Sequence, residues 1–126
     1  SQNNIKTHLR NALELYAQRP EANYRNSIKE SISAVEACCR EITKEKDLRG
    51  AINKLSNKGV KIPESLKSAF TKLYEYSNHK DTGIRHALMD ETASYAPGSA
   101  EAYFMLVSCS AFINYLNRKT NGNEEI

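Results

Sequence analysis

Residues 102–116 read AYFMLVSCSAFINYL. Wound into a helix, Tyr103, Phe104, Met105, Leu106, Val107, Cys109, Phe112, Ile113, Tyr115 and Leu116 leave almost no polar face. A helix that is apolar nearly all round must be covered on several sides, by the other helices of its own bundle or by a second copy of the chain. The run is shorter than the roughly 20 residues needed to cross a bilayer, and it carries Ser, Cys and Asn, so no membrane role is expected. With a polar start near Ser99 and an end near Lys119, it sets the problem that the rest of the chain has to solve.

The other segments supply covers of the right kind. Ile5, Leu9, Ala12, Leu13 and Tyr16 form one helical stripe that stops at Arg19-Pro20, because the residue before proline is pushed out of helical geometry. In YRNSIKESISAVEACCREI, Tyr24, Ile28, Ile32, Val35, Cys39 and Ile42 repeat at steps of three and four, which predicts a long amphipathic core helix with Arg25, Lys29, Glu36 and Arg40 off the apolar line. Asp47 is placed to cap a short third helix carrying Leu48, Ile52 and Leu55, which Gly59 ends. Pro63 is expected in the first turn of a fourth helix with Glu64 behind it and Leu66, Ala69, Phe70, Leu73 and Tyr76 along one side. The expected fold class is therefore an all-α bundle with two long core helices plus shorter ones. Five glycines and three prolines in 126 residues agree with helix over strand and turn.

That length suits one domain, here residues 1–120, with 121–126 as a polar tail. Ser1 in place of a methionine leads us to expect a piece of a larger protein whose other domains would be partners. A net charge of +3 and a pI near 8.7 are mildly basic, short of what would mark a nucleic-acid binder by itself. Cys38, Cys39 and Cys109 are odd in number and sit in apolar stripes, which suits core filling and a reducing, cytoplasmic location. No glycine-rich phosphate loop, nucleophile motif or metal-ligand spacing is present, so neither cofactor nor metal is expected.

The unusual stretch is HKDTGIRHALMDE, residues 79–91. If Asp81 or Thr82 caps a helix starting near Gly83, Arg85 and His86 fall in its first turn, the end where the helix dipole disfavours a cation. Free backbone N–H groups, a guanidinium fork and an imidazole would together receive a phosphate or carboxylate. The alternative is that Arg85 pairs with Asp81 or Asp90 while His86 packs into a helix interface. His79 either lines the same cleft or ends the preceding helix. Arg25 either reaches the anion site from its own helix or is a solvated charge, and Glu36 either orients an arginine or lies on the surface.

YRNSIKESISAVEACCREIT, LRGAINKL, LKSAFTKLYEYSNHKDTGIRHALMDE and AYFMLVSCSAFINYL together resemble the helical HEPN-type domain of abortive-infection (AbiJ-like) bacterial proteins, over nearly the whole chain. GIRHAL followed by FMLVSCSAFINYL carries the most specific part. The resemblance implies an antiparallel bundle around two long helices, usually a homodimer, in antiphage systems that halt infected cells. In catalytic members an Arg is followed by a polar residue and, a few positions later, by a His, and the dimer brings two such motifs together as a metal-independent RNase. Histidine would exchange a proton with a ribose 2′-OH or the leaving oxygen, and arginine would stabilise charge on the phosphate.

This chain departs from that motif where the second His should fall, which holds Asp90, Glu91 and Thr92. An aspartate there repels phosphate and cannot act as a neutral imidazole near pH 7 without a large pKa shift. Either His86 itself serves, or RNase activity has been lost. The expectation is a HEPN-like antiphage module that cleaves or binds RNA, tRNA or mRNA, at a dimer cleft. Arg85 and His86 are its catalytic candidates, with His79, Asp81, Asp90 and Arg25 in support. The alternative is a catalytically inactive dimerisation, interaction or ligand-sensing domain.

Overall fold

The computed structural model describes residues 2–78 and 96–121. Among them all regular structure is helical: α1 (Gln2–Ala17), α2 (Tyr24–Thr43), α3 (Leu48–Asn57), α4 (Glu64–Asn78) and α5 (Ser99–Asn121). The all-α bundle with two long helices is thus present, α2 having 20 residues and α5 having 23.

Local chemistry sets the helix boundaries. Asn23 caps α2, its side chain accepting from the Asn26 N–H at 3.2 Å, and Asp47 caps α3 by accepting from the Gly50 N–H at 2.8 Å. Helix α3 ends as its glycine predicts. Gly59 takes a φ of 88°, its N–H donates to the Ser56 carbonyl, and the Val60 N–H returns to the Leu55 carbonyl at 2.9 Å, the paired bonds of a Schellman stop. Pro63 lies one position earlier than expected, just outside α4, where its carbonyl accepts from the Lys67 N–H at 3.0 Å.

Helix α2 occupies the middle of the bundle. Its apolar stripe accounts for Ile28, Ile32, Val35 and Cys39, but Ser27, Ser31, Ala34, Ala37, Cys38 and Thr43 are buried as well. Small side chains on this second face let α1 come close, and Ser27 Oγ donates to the Ala12 carbonyl at 2.7 Å across the gap. Ser31 Oγ bonds back to the Ser27 carbonyl and Thr43 Oγ1 to the Cys39 carbonyl, so the buried hydroxyls are satisfied. Among the described residues no buried side-chain N or O atom lacks a hydrogen-bond partner.

Aromatic contacts fix the relative directions. Tyr16, near the end of α1, lies 5.9 Å ring to ring from Tyr24 and 6.0 Å from Tyr103, so α1 is antiparallel to α2 and α5 starts at the end where α2 starts. Phe70 meets Phe112 at 3.9 Å and Tyr115 at 5.7 Å, while Tyr76 senses the charge of Glu101. Helix α4 therefore runs antiparallel to α5, and residues 78 and 96 both lie at the end of the bundle that holds Tyr16 and Tyr24.

Two faces differ from the amphipathic pattern. In α4, Leu66 and Ala69 are exposed, while Phe70, Leu73 and Tyr76 of the expected side pack on the core and Tyr74 joins them. In α5, Ala102, Met105, Cys109, Phe112, Ile113 and Leu116 are buried, yet Tyr103, Phe104 and Val107 stay 58%, 54% and 48% exposed. With α2 already enclosed on two faces, the buried residues of α5 fall on one side of the helix, and among the described residues about half of its apolar circumference is used. No helix among the described residues is long and apolar enough to cross a membrane.

The close α1–α2 contact makes Ser27 intolerant of volume. Ser27→Leu is expected to lower the unfolding free energy by about 1–3 kcal/mol through overpacking, read as a lower urea midpoint with an unchanged slope.

Candidate functional site

Of the residues singled out in the sequence, His79, Asp81, Arg85, His86 and Asp90 lie outside the described residues, as does the helix expected to begin near Gly83. Arg25 is described: it sits in the first turn of α2, half-buried and not without a partner. It belongs to the end of the bundle marked by Tyr16, Tyr24 and Tyr103, the end where α4 stops and α5 starts. The fold therefore brings Arg25 to the end of the bundle where the candidate stretch is attached.

Toward the same end, among the described residues, several large apolar side chains are exposed. Tyr103, Phe104 and Val107 occupy positions one turn apart on the outward side of α5, and Leu13 of α1 is 54% exposed. Tyr16 ties the two helices together here, its hydroxyl lying 3.4 Å from Ser99 Oγ and its ring packing on Tyr103. Aromatic side chains held on rigid helices, half in and half out of the fold, are the residue types that anchor protein interfaces.

Among the described residues, Glu36 partners a tyrosine and is not a free surface charge. It is half-buried and accepts a 2.6 Å hydrogen bond from Tyr74 Oη of α4. Burial first, then the Glu36 carboxylate, push the Tyr74 phenol well above its ordinary range, so it stays a neutral donor. Beside this pair runs an apolar slot between α2, α4 and α5, lined by Ile32, Val35, Phe70, Leu73, Met105 and Phe112. Its interior gives about 20 Å³ at the radius of a water, room for roughly one solvent molecule and too little for a substrate.

His8 is the histidine that sequence spacing overlooks. Its Nδ1 donates to Glu30 Oε1 at 3.0 Å, and Asn11 Nδ2 donates to the same oxygen at 3.2 Å. Glu30 is 22 positions away, so no local motif signals the pair. It clips α1 to α2, in the same seam as Ser27. Among the described residues no group of three or more His, Cys, Asp or Glu is placed to hold a metal.

A second polar feature lies between α3 and α4. Arg49, Asn53, Lys67, Ser68, Thr71 and Lys72 line an open groove of about 430 Å³, together with Glu75 and the edge of Ile52. Arg49 Nη2 reaches Glu75 Oε2 at 3.3 Å and Lys72 Nζ reaches Glu75 Oε1 at 3.6 Å, while Lys67 Nζ pairs with Glu64 at 3.1 Å.

Comparison with family models, curated proteins and solved structures finds no match.

The three thiols are free, buried and poorly suited to nucleophilic work. Burial pushes Cys38 up from 9.0 to about 11, with Glu41 adding to it, and Cys39 and Cys109 to about 12. At pH 8 roughly one thiolate in a thousand or fewer exists, so a thiol reagent should label none of the three until denaturant is added. Folding favours the protonated form, so their contribution to stability is complete below pH 9.0 and is lost as the pH rises toward 11–12. Urea midpoints at pH 7, 9 and 10.5 should show no effect of these groups at the first, the onset of a fall at the second and a clear fall at the third.

Proposed function

We propose that this chain is a HEPN-like module that pairs as a homodimer and acts on RNA in an antiphage, abortive-infection setting in the cytoplasm. Arg85 is the phosphate clamp and His86 the general acid or base of that proposal, with Arg25, His79, Asp81 and Asp90 in support. Other domains of a larger parent protein would supply the trigger. One observation carries it: α5 leaves Tyr103, Phe104 and Val107 outside the bundle, a rigid aromatic and aliphatic stripe of the kind a second copy covers.

Fully covering a large apolar side chain stabilises by about 1.5–3 kcal/mol, so this stripe contributes usefully to association only if the partner surface matches it. A two-fold axis makes that match automatic, because the stripe meets itself. Since it lies in the first turns of α5, pairing would bring the start of one α5 beside the start of the other, and with them both copies of residue 96. Two Arg85-His86 pairs contributed from adjacent attachment points is the arrangement that the resemblance to catalytic HEPN domains requires.

A second reading, an inactive dimerisation or ligand-sensing domain, is favoured by one feature: Asp90, Glu91 and Thr92 occupy the positions of the expected second histidine. Carboxylates there oppose the approach of a phosphate.

Purified protein incubated with total RNA in EDTA separates the two. The RNase is expected to cleave without metal. His86→Ala and Arg85→Ala each lower the rate on the order of a hundredfold or more, as removal of a general acid–base or of a charge-stabilising donor does elsewhere. Undiminished cleavage by both variants contradicts the site, and absence of cleavage by the unmodified protein selects the inactive module.

A further inference from the structure

The positive charge of this chain is not spread evenly. Between positions 44 and 72 there are eight cations, Lys44, Lys46, Arg49, Lys54, Lys58, Lys61, Lys67 and Lys72, against three carboxylates, Glu45, Asp47 and Glu64. That excess of five exceeds the +3 of the whole chain, so the remaining residues are net acidic. One of the three carboxylates, Asp47, is engaged in capping α3. The basic stretch folds into α3, the first part of α4 and the turns around them, and at its centre lies the groove between the two helices.

We propose that this α3–α4 groove binds the phosphodiester backbone of single-stranded RNA, through residues other than Arg85 and His86. Arg49 and Lys72 present cations whose side chains are 73% and 82% exposed, from facing helices. Glu75 lies within 3.3 Å of the first and 3.6 Å of the second, holding both at the mouth of the groove while cancelling only one of their charges. Lys67 stands five residues before Lys72, about 7.5 Å along the helix axis at 1.5 Å per residue, and Asn53, Ser68 and Thr71 line the groove with donors that suit phosphate oxygens.

Among the described residues no aromatic side chain lines the groove, so none of them stacks on a base there. The contact therefore positions a strand without reading its sequence, and its strength depends on salt through counterion release. It would hold the flanking strand while another part of the protein acts on the RNA. The choice of RNA over DNA rests on the function proposed above; the groove's preference for a polyphosphate strand does not.

The test is fluorescence anisotropy of a labelled single-stranded RNA of mixed sequence, titrated with the unmodified protein and with Arg49→Gln/Lys72→Gln across a range of salt. Losing two phosphate contacts should flatten the slope of log affinity against log salt by about 1.4 and weaken binding about tenfold at 0.1 M salt. Lys6→Gln/Arg10→Gln on α1, the same change of charge away from the groove, should leave both nearly unchanged. The proposal is overturned if the groove variant binds as the unmodified protein does, if the α1 variant loses as much, or if polyglutamate displaces the RNA more readily than unlabelled RNA does. Equal, groove-dependent binding of single-stranded DNA would keep the groove and remove the preference for RNA, whereas RNA binding lost in Arg85→Ala/His86→Ala but intact in the groove variant would remove the groove alone.

Discussion

Everything in this bundle depends on how closely α1 can approach α2. Ala12 on one side and Ser27 on the other leave so little side chain between the helices that a hydroxyl spans the gap to a backbone carbonyl at 2.7 Å. Serine is suited to that place because it is nearly as small as alanine and can satisfy its own polar group in the contact. The His8–Glu30 pair with Asn11 clips the same two helices together nearer the solvent. Once α1 and α2 are joined in this way, α2 has two buried faces, and the remaining helices must share what is left of its surface.

That sharing explains the shape of α5. It packs Met105, Cys109, Phe112, Ile113 and Leu116 against the bundle, while on the other side Phe104, Val107 and, beyond its contact with Tyr16, Tyr103 stay about half exposed. The uncovered stripe is thus a consequence of the order of packing, in which small residues on α2 give α1 a place that a bulkier helix would have denied it. In the homodimer proposed above, a second copy would supply that cover without any new kind of surface. The same geometry sets Arg25 and the attachment points of residues 79–95 at the end of the bundle where that stripe begins.

Most of the fold was legible in the sequence because helix boundaries are local chemistry. Asp47, Gly59 and the Arg19-Pro20 step each act within a few residues of themselves, and the three- and four-residue apolar steps of α2 survive intact in the core. What the apolar pattern leaves out is the second buried face of α2, since serine counts as polar wherever it stands. Ser27 and Ser31 are buried because their hydroxyls find carbonyls, one 15 residues away and one a turn back, and the first of these is invisible to periodicity. The candidate site is legible as chemistry only: Arg85 and His86 stand out by residue type and neighbours, and their positions lie outside the described residues. The His8–Glu30 pair and the Tyr74–Glu36 bond join residues 22 and 38 positions apart and had no sequence signal.

If a second copy covers Tyr103, Phe104 and Val107, the mass of the protein in solution reveals it. Sedimentation equilibrium at micromolar concentration should give twice the 14.2 kDa of one chain for the unmodified protein, and a single-chain mass for Phe104→Glu with the helical content unchanged. A single-chain mass for both would contradict it, and so would a dimer that Phe104→Glu leaves intact.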